Sequence, residues 1–161
     1  MTRSFTREIL NFVGSLLKKH AFSLVEEKEE PAHFGNARAV FQSPMLRLRF
    51  VRDREGLSVD VAETGSSEQW HKLEDVLVTC VPVFNRAGRF EAGAMQRLAE
   101  EYMNISRPIG DMSSMKRVLG KHLGTIEDRF GPYQIELTRR LLDGIEHRES
   151  QPERSSSKIL R

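Results

Sequence analysis

The sequence predicts an α+β fold: an N-terminal helix, an antiparallel β-meander of three to four strands, then a block of about four helices. Three observations carry this. Apolar residues recur at spacings of three and four near the N-terminus; they alternate with period two between residues 37 and 62; the helical spacing returns after residue 67. Strands grouped together and followed by helices mark an α+β domain rather than an alternating α/β sheet. The links between the alternating segments are too short for parallel crossovers, so hairpins join them.

The first helix is expected over about residues 4–20, where Phe5, Ile9, Phe12, Val13, Leu16 and Leu17 make one apolar stripe. Lys18, Lys19 and His20 fall in its last turn, where cations suit the helix dipole. In the meander, Ala37, Ala39 and Phe41 point one way while Arg38, Val40 and Gln42 point the other. Leu46, Leu48 and Phe50 alternate with Arg47, Arg49 and Val51; Leu57, Val59 and Val61 alternate with Ser58, Asp60 and Ala62. Ser43-Pro44 and Asp53-Arg54-Glu55-Gly56 supply the turns. A fourth strand runs through Phe22, Leu24 and Glu26.

Ser66 and Gln69 fit a capping box for a helix holding Trp70, Leu73, Val76, Leu77 and Cys80, closed by Pro82. Further helices carry Met95, Leu98, Ala99 and Tyr102, then Met112, Met115, Leu119, Leu123, Ile126 and Phe130. Gly131-Pro132 stops the latter and starts the last, which carries Leu137, Leu141, Leu142 and Ile145. Residues 1–148 read as one domain and residues 149–161 as a disordered tail. No internal repeat is visible.

Composition narrows the class. Of 161 residues, 39% are hydrophobic and 30% charged, which suits a globular domain. No apolar run approaches the roughly 20 residues of a membrane span. One cysteine excludes a disulfide framework and a four-cysteine zinc site, and apolar neighbours make Cys80 a buried thiol. The N-terminus lacks the apolar core of a secretory signal, and the expected address is the cytoplasm. The net charge is only +2, but locally the pattern is sharper. Residues 26–30 form an acidic run, whereas residues 38–54 carry five arginines against Asp53 alone.

Chemistry-bearing motifs are sparse. Glu68 and His71 have the spacing of a di-iron half-site, but the second motif and further carboxylates are missing, so neither metal nor cofactor is expected. Cys80 has no glycine-rich elbow or paired base. Glu74-Asp75 and Glu127-Asp128 are helix neighbours that point about 100° apart and read as solvated faces. Gly120 and Gly124 lack the spacing of a phosphate loop and suit close helix approach instead. No catalytic residues are expected, and the chain reads as non-enzymatic.

Two charged surfaces remain as partner-binding candidates. Arg47 and Arg49 share one strand face, joined by Arg38 from the preceding strand and Asp60 from the following one, with Arg49 and Asp60 placed to pair. Arg52 belongs to the same basic segment. The ordinary expectation for such a face is simple solvation; the functional one is docking, because arginine pairs bidentately with carboxylates and phosphates. Stacking aromatics for single-stranded nucleic acid are missing, since Phe41 and Phe50 point inward, which favours a protein partner. The acidic run of Glu26, Glu27, Glu29 and Glu30 is either a solvated loop or an edge facing a basic partner.

The stretch from Phe34-Gly35-Asn36 through Arg47, Arg49 and Arg52-Asp53-Arg54, with the preceding helix, resembles the opening of small uncharacterised bacterial proteins. Some of these are grouped with immunity proteins of polymorphic or contact-dependent toxin systems. The resemblance covers about residues 5–62. It implies a protein that neutralises a cognate toxin by occluding its active site. The alternatives are nucleic-acid binding through Arg38, Arg47, Arg49 and Arg52, or an enzyme with an unrecognised site.

Overall fold

A computed structural model of the chain describes residues 4–30, 32, 35–54, 56–65, 69–80 and 111–150. Helix α1 (Phe5–Lys19) leads into strands β1 (Ser23–Glu30), β2 (Asn36–Gln42), β3 (Leu46–Asp53), β4 (Gly56–Glu63) and β5 (His71–Lys72). Helices α2 (Leu73–Cys80), α3 (Met112–Arg129) and α4 (Ile135–Ser150) follow. The strands form one antiparallel sheet in the order β1-β2-β3-β4-β5, a meander as expected.

Local chemistry sets the element ends. Ser4 caps α1 by accepting from the Arg7 N–H, and Glu8 lies in the first turn. At the other end, the Phe22 N–H donates to Leu17 O at 2.9 Å and the Ala21 N–H to Lys18 O at 3.1 Å. This double closure puts Ala21 in the left-handed region, at φ 61°. Ser43 closes the β2–β3 turn, its hydroxyl accepting from the Leu46 N–H at 3.0 Å. Gly56, at φ 118°, supplies the conformation that a side chain resists in the β3–β4 turn.

Period two then decides which residues are buried. Ala37, Ala39, Phe41, Leu46, Leu48, Phe50, Leu57, Val59 and Val61 all join the core, and all lie on one sheet face. Phe41 and Phe50 meet edge to face at 5.7 Å, a geometry worth about 0.5–1.5 kcal/mol beyond burial. Phe5, Ile9, Val13 and Leu17 bring α1 onto β1 and β2. Leu73, Val76 and Leu77 bring α2 onto β4 and β5. Helix α3 packs on α1 and α2 through Met115, Leu119, Leu123 and Ile126, and α4 packs on α2. Arg139 of α4 grips Glu63 of β4 with two hydrogen bonds of 2.8 and 2.7 Å, and that carboxylate holds Arg139 above the usual arginine range.

Several expectations change. Trp70 and His71 do not belong to the second helix: Asp60 and Val61 pair with Lys72 and His71, so a short fifth strand precedes a helix that starts at Leu73. Edge pairing satisfies the backbone there instead of a helical turn. His71 is buried and hydrogen-bonds Glu146 of α4 at 2.6 Å. The stripe of the last helix splits: Leu142 is buried while Leu137 and Leu141 are exposed. That helix begins at Ile135, after a turn through Pro132. Nor are the adjacent carboxylates merely solvated: Asp75 is buried, and Glu127 pairs with His20 at 2.9 Å. A Cβ added at Gly120 or Gly124 would meet nothing within 4 Å, so no close helix approach occurs there among the described residues. Ser66, Glu68, Pro82, the expected helix around Met95–Tyr102, the Cys80 side chain and residues 151–161 lie outside the described residues. Helix α4 itself runs through Ser150.

Candidate functional site

The helices stand on one face of the sheet, and no described helix packs on the other. Val40 and Ala62 are the buried apolar residues of that open face, and neither belongs to the core cluster. Register places Arg49 beside Val40 and Arg47 beside Ala62. Arginine stems cover apolar positions in this way while their charged ends stay near water.

Arg49 and Asp60 are direct cross-strand partners. Arg49 donates from Nε at 3.0 Å and from Nη2 at 2.8 Å to Asp60 Oδ2, the pair anticipated from alternation. Trp70, one residue before β5, brings its indole under both arginines: the guanidinium carbons of Arg47 and Arg49 stand 4.9 and 4.4 Å from the ring centroid. Arg47 also donates from Nε to Glu63 O at 3.3 Å. Sequence reasoning missed Trp70 because its spacing to Leu73 and Leu77 fits a helix. The signal was the alternation Trp70–Lys72 against His71–Leu73, one turn beyond β4.

Arg38 lies on the same face, and its Nη2 binds Glu26 of β1. Arg52 does not lie there. Even parity with Leu48 and Phe50 sends it to the helix side, opposite Ala37 and Leu57. Its guanidinium sits 4.9 Å from the Phe5 ring and donates to Glu8 at 3.3 and 3.2 Å. Arg52 therefore ties β3 to α1 and is separate from the other arginines.

The acidic run is the outer strand, not a loop. Glu26, Lys28 and Glu30 share the open face; Glu27 and Glu29 share the helix side. Glu29 accepts from the Phe5 N–H, covering an unsatisfied donor at the start of α1. Lys28 and Glu30 pair at 2.8 Å. Glu27 alone of the four glutamates makes no such contact among the described residues. Charges along an edge strand also discourage pairing with another chain's strand.

By register the open face carries Lys28, Arg38, Arg47, Arg49 and Lys72. Against them stand Glu26, Glu30, Asp53 and Asp60. The face is thus mixed in sign. A hollow of about 370 Å³ opens at its β1–β2–β3 end, with Arg38, Arg49, Asn36 and Val51 in its lining. Neither His71 nor His122 lines it. Among the described residues, no three His, Cys, Asp or Glu side chains are grouped to hold a metal ion. No helix among them is long and apolar enough to cross a membrane. No protein-family model, curated protein or solved structure matches the chain.

Proposed function

We propose that this chain is a non-enzymatic protein-binding module that docks through the open face of its sheet, and that its partner is a toxin whose active site it occludes. The supporting observation is the part-buried Trp70 held under Arg47 and Arg49 on a face that no described helix covers. Tryptophan and arginine dominate protein-binding hot spots. Here the stack and the Asp60 pair fix both guanidiniums in advance, which lowers the ordering cost of binding. At about 3.3 Å per residue and 4.8 Å between strands, β1–β4 present a face of about 26 by 19 Å. That is about 500 Å² in projection, somewhat over half of the roughly 800 Å² each partner gives to a standard interface.

Nucleic acid is the weaker reading. Arg52 is on the other side of the sheet, tied to Glu8, so the four arginines do not make one strip for a phosphate backbone. A phosphate backbone would meet four acidic residues on this face. The neutralising role rests on the sequence expectation that residues 5–62 resemble small bacterial proteins, some of them grouped with immunity proteins.

Affinity capture in the native host tests the reading. The expected result is a 1:1 complex with the product of a neighbouring gene that arrests growth when expressed alone. Co-expression of this chain restores growth. Ser58→Arg, at an exposed open-face position, abolishes rescue, whereas Lys121→Ala on exposed α3 leaves it intact. A captured protein that does not arrest growth, or rescue that survives Ser58→Arg, overturns the proposal.

A further inference from the structure

We infer that the hollow at the β1–β2–β3 end of the open face is a socket for an acidic segment of the partner protein, a carboxylate side chain seated between Arg38 and Arg49. This rests on the protein-binding reading above and names the chemistry that the partner presents.

The register makes the socket electrostatically incomplete. Lys28 stands directly opposite Arg38. Like charges at such a position repel across the strands. Lys28 turns to Glu30, two residues along its own strand, and Arg38 turns to Glu26, diagonal to it on β1. Those exposed pairs leave guanidinium donors over. Arg38 Nε is buried with no hydrogen-bond partner among the described residues. Neighbouring Asn36 holds a second buried orphan, its Oδ1, an acceptor that a backbone N–H beside the carboxylate would satisfy, not the carboxylate itself. Buried polar atoms of this kind are rare and costly. Arg49 enters from the next strand with Nε and Nη2 committed to Asp60 and its plane fixed on Trp70, so Nη1 remains for a ligand. Both arginines line the hollow.

Charge selects the occupant. Glu30 and Asp53 also line the hollow. One monovalent carboxylate gains from Lys28, Arg38 and Arg49 without crowding them. A polyanion would set repeated charges against Glu30, Asp53 and, beyond the rim, Asp60. A volume of about 370 Å³ exceeds one carboxylate and accommodates an acidic side chain with its flanking backbone. Val51 gives the aliphatic stem an apolar contact.

The test is a low-salt titration of the full chain with a capped Gly-Glu-Gly peptide, which carries one carboxylate, followed by backbone amide NMR and Trp70 fluorescence. A capped Gly-Lys-Gly peptide, inorganic phosphate and a short single-stranded oligonucleotide are parallel probes. The Gly-Glu-Gly peptide is expected to shift amides around Lys28, Arg38 and Arg49 and to change Trp70 emission. Lys28→Gln and Arg38→Gln are expected to weaken it by about five-fold each. Lys28 is 58% exposed, so its variant folds, and circular dichroism checks both. Silence with Gly-Glu-Gly, equal response to Gly-Lys-Gly, or tighter binding of phosphate or oligonucleotide overturns the socket. So does a pair of variants with unchanged affinity. Growth rescue is scored separately: rescue lost with Ser58→Arg but kept with Arg38→Gln and Lys28→Gln defeats the socket and leaves the docking face standing.

Discussion

Replacing Trp70 with alanine removes the centre of the open face, and the structure fixes the expected cost. Two guanidiniums lie 4.9 and 4.4 Å from the indole centroid. At part-exposed sites each contact is worth about 0.5–1 kcal/mol, so together they give about 1–2 kcal/mol. The indole is also part-buried. With about 100 Å² of its surface out of water, burial adds about 2.5 kcal/mol at about 25 cal/mol/Å². The total is about 4 kcal/mol, or a fall in Tm of about 8–16 °C for a chain of this size. Trp70 is the sole tryptophan, so unfolding of the variant is followed by circular dichroism in urea. Trp70→Phe keeps a ring under the arginines and costs less. A double-mutant cycle between Trp70→Ala and Arg49→Met isolates the stack, with an expected coupling of about 0.5–1 kcal/mol. A coupling indistinguishable from zero would refute the idea that the indole holds the arginines in place.

The remaining predictions concern the ends of helices. Ala21→Gly relieves a left-handed alanine at φ 61°. The alanine costs about 1–2 kcal/mol there, and glycine's freedom in the unfolded chain returns about 0.4–1 kcal/mol of that. A net gain of about 0.5–1 kcal/mol should appear as a higher urea midpoint; a lower one would contradict the helix-end geometry. Asp111 caps α3, and the hydrogen bond from the Ser114 N–H holds its carboxyl below the ordinary 3.8. Its stabilising effect is full above that ordinary value and is lost as pH falls through the lower, folded value. Asp111→Asn keeps an accepting oxygen but does not titrate, so wild type should lose its advantage over the variant only in acid. A gap constant from neutral to acid pH, read by thermal melts, would show that the carboxylate is not the cap.

Alternation along 37–62 was enough to separate the sheet's two faces, because a side-chain period of two leaves no freedom once one face is apolar. Arg47, Arg49 and Asp60 were legible for that reason, down to the Arg49–Asp60 pair. The same parity already excluded Arg52 from the face, since it follows Phe50 by two. Its charge drew it into the group; its geometry sends it to Glu8 and Phe5. The acidic run was harder. A strand of glutamates has no apolar alternation, and its extended shape comes from pairing with β2 rather than from its own residues.

The amino-acid order by itself determined the α+β class, the meander and the apolar sides of α1 and β2–β4, since each follows from local periodicity and turn chemistry. The tertiary structure decided where Trp70 goes, that β5 exists, and that Glu29 and Arg52 serve α1. Those outcomes depend on groups distant in sequence meeting across the sheet. A two-residue edge strand and an indole under two guanidiniums gain their energy only once β3 and β4 are already in place.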